Sequence, residues 1–142
     1  MQLKMMTDYA IRILLYMKTK EASITLMEVS EAMGITIGPL TKTLRRLRDE
    51  GWVESFTGSE GGWRLIKNVE KISLLDIMRV TEDTIRFNRC LEDDQFCSRN
   101  AVGVCPVHDV YKDYQQITED YFSTVTIGTL LEPKEKHNDP ID

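Results

Sequence analysis

The amino-acid sequence predicts a mainly α fold with one small β-hairpin: a winged helix-turn-helix domain followed by a long C-terminal dimerisation helix. Three observations lead there. Two short helical stretches, LMEVSEAMG and residues 36–51, are parted only by the turn at Gly34, Ile35 and Thr36, which is the spacing of a helix-turn-helix. Directly after them WVESFTGSEGGWRLIK reads as two strands, near 52–57 and 63–67, about a glycine-rich turn, the form of a wing. Finally, from Pro106 onward Val107, Val110, Tyr114, Ile117, Tyr121 and Val125 recur at three- and four-residue steps, an apolar seam along one long helix.

Composition sets the bounds. The chain has 142 residues, enough for one core with an appendage, and a formal charge of -5. That charge argues against coating nucleic acid indiscriminately, while a local basic surface can still dock on phosphate. MQLKMMTDYA holds no long apolar region, so neither a signal peptide nor a membrane span is expected. Three cysteines, an odd number, point to a reducing, cytoplasmic setting in which thiols bind metals or sense redox state.

Taken in order, Thr7 is placed to cap the first helix, whose Ala10, Ile13, Leu14 and Met17 form a core stripe, with Asp8 complementing the helix dipole. Thr25 caps the second helix and Gly34 ends it. Thr36 caps the third, and Pro39 is tolerable in its first turn. Leu40, Leu44 and Leu47 line one side of that helix. Gly38, Thr41, Lys42, Arg45, Arg46 and Arg48 occupy the others, a basic face suited to the major groove and equally compatible with a solvated helical hairpin. In the wing, Gly58, Gly61 and Gly62 offer positive backbone dihedrals and close approach to a phosphate backbone. Arg64 is the candidate contact there, and Glu54 and Glu60 bring opposing charge. Ser73 opens a fourth helix, whose Leu74, Ile77 and Met78 should pack on the winged domain. The units expected are a winged domain over 1–82, a cysteine loop over 83–108, a dimerisation helix over 106–131, and a disordered polar tail over 132–142 that removes His137 from consideration as a ligand.

The cysteine loop carries the remaining chemistry. Six residues separate Cys90 from Cys97 and seven separate Cys97 from Cys105, with His108 one helical turn past the last cysteine. Three thiolates on a wrapping loop can converge on a soft metal or an iron-sulfur centre, which needs a fourth ligand; the same cysteines could be small buried hydrophobes. The spacing lacks the paired CxxC of a structural zinc site.

The succession TDYAIRILLYM, ITLMEVSEAMGI, TIGPLTKTLRRLRDEGWV, GSEGGWRL, a three-cysteine loop and CPVH resembles the Rrf family of winged-helix repressors over roughly residues 1–131. Retention of three cysteines aligns the chain with the iron-sulfur branch of that family (IscR-, NsrR- and RirA-like), as against its cluster-free members. The resemblance implies a cytoplasmic homodimer on a double-stranded DNA operator, with no membrane and no small-molecule substrate. Cys90, Cys97 and Cys105 would ligate the cluster. Recognition would use the helix bearing Thr36, Gly38, Thr41, Lys42, Arg45 and Arg46, supported by Gly61, Gly62 and Arg64 of the wing. Val110, Tyr114, Ile117, Tyr121 and Val125 would form the dimer interface. Two fourth ligands stay open: His108, as in IscR-like proteins and favouring a 2Fe-2S cluster, and Asp8, as in NsrR-like proteins where the partner subunit supplies it to a 4Fe-4S cluster. The first reading is slightly preferred. Thr57 stands where many relatives have an arginine, and Thr41 replaces the acidic residue that gives IscR-like proteins two classes of site. A cysteine thiol switch and a zinc-stabilised protein-interaction module are the rival readings. An enzyme is not expected, because the sequence shows no phosphate loop, nucleotide fingerprint or nucleophile-base constellation.

Overall fold

A computed structural model describes residues 2–59 and 61–133. Glu60 and the greater part of the polar tail, His137 included, lie outside the described residues. Helix α1 (Met5–Lys20) starts before Thr7, after an N-cap at Lys4 that has no side-chain cap. Thr7 is instead completely buried against the fourth helix, so its hydroxyl serves tertiary packing and not the helix end. The expected stripe holds: Ala10, Ile13, Leu14 and Met17 are all in the core.

Helix α2 (Leu26–Met33) begins with a reciprocal capping box, in which Thr25 accepts from the Glu28 amide and the Glu28 carboxylate accepts from the Thr25 amide. It ends at Gly34, whose φ of 66° suits a residue without a Cβ. Helix α3 (Ile37–Asp49) follows after Ile35 and Thr36. Thr36 occupies the N-cap position, but its side chain accepts no amide, so that expected cap bond is absent. Leu40, Leu44 and Leu47 are fully buried and seat α3 against α1 and α2.

The wing is shorter than the sequence suggests. Strands β1 (Val53–Phe56) and β2 (Gly62–Leu65) pair antiparallel, with Glu54 opposite Arg64 and Phe56 opposite Gly62. The outer residues leave the ladder because the amides of Ile66 and Lys67 both turn to the Trp52 carbonyl. Among the described wing glycines only Gly58 has positive φ; Gly62 is required by proximity, since a Cβ there would fall 2.3 Å from the Ile24 carbonyl oxygen. Ile24 and Trp63 exchange backbone bonds of 2.8 and 2.9 Å, fastening the hairpin to the segment before α2.

Helix α4 (Leu74–Thr81), capped reciprocally by Ser73 and Asp76, packs on α1 through Ile77 and its neighbours. A loop with two short 3-10 turns, Arg89–Leu91 and Val102–Val104, leads to helix α5 (Pro106–Thr124). The chain then bends back. Helix α6 (Ile127–Leu131) puts Ile127 into the winged-domain core, and the amides of Leu74 and Ile127 bond to the carbonyls of Val125 and Ile72. The long helix is thus tied to the first domain at its far end, a link that local periodicity does not reveal.

Candidate nucleic-acid interface and metal centre

Burying one side of α3 turns its polar residues outward. Gly38, Thr41, Lys42 and Arg45 line an open groove of about 840 Å³, closed on its other side by Lys4, Glu82 and Asp83. Lys42 and Arg45 form no ion pair among the described residues, so both cations are available to phosphate or base edges. The acids at the rear are engaged: Lys4 pairs with Asp83, and Glu82 accepts from the Lys4 amide at 2.8 Å and from the Thr7 hydroxyl. Thr7 donates its one proton to Glu82, and the Thr81 hydroxyl, 2.7 Å from Thr7 and 2.8 Å from the Ile77 carbonyl, has one proton to share between those two acceptors.

Not every basic residue of α3 is free for DNA. Arg46 Nε donates to the Val80 carbonyl at 2.8 Å, tying α3 to α4, and Arg48 lies 6.0 Å over the Trp63 ring, tying α3 to the wing. Arg64 pairs with Glu54 across the hairpin and stacks 5.5 Å over Phe56, on an exposed face. Thr41 bonds back to the Ile37 carbonyl at 2.7 Å. Sequence spacing identifies the outward face, but only the tertiary partners separate anchoring cations from available ones.

In the cysteine loop, Cys90 sits in the first 3-10 turn and its Sγ lies 3.3 Å from His108 Nδ1 in the first turn of α5. This pair borders a cavity of about 320 Å³ shared with Arg86, Gln95 and Lys112. Cys105 is the N-cap residue of α5, with Pro106 at the first helical position. Gln95 and Asn100, both at positive φ, bracket Cys97 and reverse the chain on either side of it. The backbone amides of Ala101 and then Arg99 hold the Cys97 thiol below its usual range, which favours the thiolate that metals and oxidants attack. All three cysteines are unbridged and partly exposed.

The structure therefore brings Cys90 and His108 together. Among the described residues no third His, Cys, Asp or Glu completes a metal-binding group with them. Asp8 pairs with Arg12 one turn along α1. Three soft thiolates and an imidazole are a donor set chemically suited to iron or zinc, and of these four side chains the structure pairs Cys90 with His108. Beside it, α5 leaves Val110, Tyr114, Ile117 and Tyr121 exposed, Ile117 at 68%, while Val125 lies past the helix end and is half-buried. Two residues that sequence reasoning passes over, Gln115 and Glu119, hold the loop entrance. Their only sequence signal is that they stand seven and eleven residues after His108, on its face of the helix.

Comparisons with known proteins agree with this architecture. A family model described as Rrf2, iron-dependent transcriptional regulator, matches residues 3–133. The regulator NsrR of Shouchella clausii is 31% identical over 128 residues, covering 85% of this chain and 85% of its own. The regulator IscR of Pectobacterium atrosepticum is 27% identical, covering 84% and 71%. Among solved structures, CymR, the global cysteine regulator of B. subtilis, superposes with a TM-score of 0.72 at 20% identity over 92% of this chain and 95% of its own, and T. potens IscR with 0.71 at 20% over 92% and 86%. Those structural likenesses establish the winged-helix fold, and the relatives are named as transcriptional regulators, not enzymes. Among the described residues no helix is long and apolar enough to cross a membrane. With the family model spanning almost all of the described residues, the chain belongs to the Rrf2 family of DNA-binding transcriptional regulators.

Proposed function

We propose that this chain is a homodimeric operator-binding regulator whose hold on DNA is switched by an iron-sulfur cluster at Cys90, Cys97, Cys105 and His108, reporting iron-sulfur status, nitric oxide or redox stress. The observation that carries the reading is the 3.3 Å approach of His108 Nδ1 to Cys90 Sγ, which sets an imidazole beside the first thiol with no help from a second chain. It favours His108 over the partner's Asp8, and with it a 2Fe-2S centre. The relatives named IscR and NsrR support the class of cofactor.

When bound, the group supplies a labile cross-link between the loop and the start of α5. The protein's own residues do the rest. Cys97 and Cys105 would hold the group together with Cys90 and His108, and residues 90–105 would be ordered by that shared attachment. The loop leaves directly from the end of α4, and α4 is tied to α3 by Arg46 and Val80. In a dimer joined along the exposed α5 stripe, two α3 helices must meet half-sites about 34 Å apart, so a small rotation of each winged domain changes operator affinity sharply. Lys42 and Arg45 supply the phosphate and base contacts.

The test is iron and sulfide content with an absorption spectrum on protein purified without oxygen, native against Cys97→Ala, alongside operator binding of Lys42→Ala/Arg45→Ala. The expected result is a cluster lost in the first variant, and in the second a retained cluster with weaker binding and a salt slope lower by about two. Anaerobic native protein that neither holds nor takes up iron would sink the cluster reading. A second reading, a thiol switch, is favoured by the lowered Cys97 thiol and by the likeness to CymR, for which an oxidised form from Staphylococcus aureus is among the similar structures. Metal-free protein whose operator binding still responds to peroxide and is restored by a thiol reductant would establish it.

A further inference from the structure

One face of α5 is polar and turned inward. His108, Gln115 and Glu119 recur at seven- and four-residue steps and so stand in a row, on a different side from the exposed apolar stripe. Gln115 is the one buried residue of α5, an unusual position for a side-chain amide unless both of its ends are used. Both are. Phe87 N–H donates to its Oε1 at 2.7 Å, while its Nε2 donates to the Ile85 carbonyl at 3.0 Å and to Glu119 at 2.8 Å. Glu119 in turn accepts from Arg86 at 2.7 Å and from Arg79 of α4 at 3.1 Å. The Phe87 ring closes the arrangement against Tyr111 and Tyr114, with centroids 5.2 and 4.6 Å away. Three residues beyond Phe87 comes Cys90, opposite His108.

We propose that Gln115 is a positioning residue: its amide grips residues 85 and 87 as a neighbouring strand would, and so fixes where the loop enters and holds Cys90 against His108. The chemistry is specific to glutamine. Glutamate keeps an acceptor for the Phe87 amide but has no donor for the Ile85 carbonyl and opposes Glu119; methionine, similar in length, offers neither bond. The value of this placement for sensing rests on the cluster reading above, whereas the placement itself does not.

The experiment uses the metal-free full chain in reducing buffer, so that it stays separate from cluster assembly. Native protein, Gln115→Met and Gln115→Glu are alkylated with iodoacetamide and the rate at each cysteine is read by mass spectrometry, together with hydrogen exchange at the Phe87 amide. In Gln115→Met, Cys90 should react roughly three to ten times faster, the span expected when a hydrogen-bonded anchor of ordinary strength is removed, with Cys97 unchanged and Phe87 deprotected. Gln115→Glu should fall between, because Phe87 keeps its acceptor. An unchanged ratio of Cys90 to Cys97 rates would overturn the proposal, as would a rise shared equally by Cys97, which would mark Gln115 as merely supporting the fold. Should Gln115→Met not fold, the same ratio in Gln115→Glu decides. Anaerobic iron uptake by the native chain, measured in parallel, settles the cluster reading on its own.

Discussion

Helices α1 and α5 are of similar length, sixteen and nineteen residues, and both carry apolar residues at helical spacing, yet α1 buries five residues and α5 buries one, a glutamine. The contrast extends to their surroundings. Around α1, helices α2 and α4 begin with reciprocal caps, the core is continuous from Ala10 to Ile127, and no buried side-chain polar atom among the described residues lacks a partner. Around α5 the apolar stripe faces outward and the cysteines are half-exposed. One half of the molecule is complete within a single chain. The other leaves an apolar stripe and three thiols open to solvent, and on the function proposed above a second chain and a cofactor would cover them, the division expected between a scaffold and a switch.

The comparison can be broken in stages. The largest effect belongs to the closed half: Leu44→Ala, at a fully buried site between α3 and its neighbours, should cost about 2–5 kcal/mol in denaturant unfolding. A loss well under 1 kcal/mol would mean that this core is less tightly packed than its burial implies. A smaller effect of a different kind is expected in the open half. Ile117→Asp should leave monomer unfolding within about 0.5 kcal/mol of native, because the residue is exposed there. It should nevertheless weaken self-association on the order of 30-fold, as for a charge placed in an apolar interface, when followed by sedimentation. Unaltered association would move the dimer contact away from this stripe.

The smallest effect concerns pH. The Thr25 backbone amide, then the Tyr16 hydroxyl and Lys20, hold the Glu28 carboxyl below its ordinary range. A carboxylate with a folded-state pKa beneath its unfolded one contributes stability above the unfolded value, and the contribution disappears as pH falls through the folded one. Thermal midpoints of native protein and Glu28→Gln should therefore differ at neutral pH and converge as the solution is acidified below about pH 4, the ordinary glutamate range. A difference independent of pH would assign Glu28 to packing and not to charge.

What the sequence discloses and what it withholds follows the same partition. The core stripes of α1 and α3, the caps at Thr25 and Ser73, the hairpin and the start of α5 at Pro106 are all legible, because each depends on residues within one or two turns of each other. Thr7 is misread as a cap because a threonine ahead of an apolar run has the right local chemistry, and nothing nearby announces that Thr81 and Glu82, more than seventy residues later, claim its hydroxyl. Arg46 looks as available as Arg45 until the Val80 carbonyl is placed beside it. In the cysteine loop and at the start of α5, cysteine and histidine identify themselves by chemistry. Gln115 does not, since a glutamine on an amphipathic helix ordinarily faces water, and its function exists only once residues 85–87 lie across it.

The fastening of the wing to Ile24 also bears on how such a protein diversifies. The hairpin is fixed at its base, where Trp63 and Ile24 trade bonds and Gly62 admits no side chain, while residues 57–59 near its tip contribute nothing to the core. Residues 57 and 59 can therefore vary, in lineages or in a combinatorial library, without disturbing the packed helices beneath, provided that Gly58, at a φ of 120°, and Gly62 are left alone.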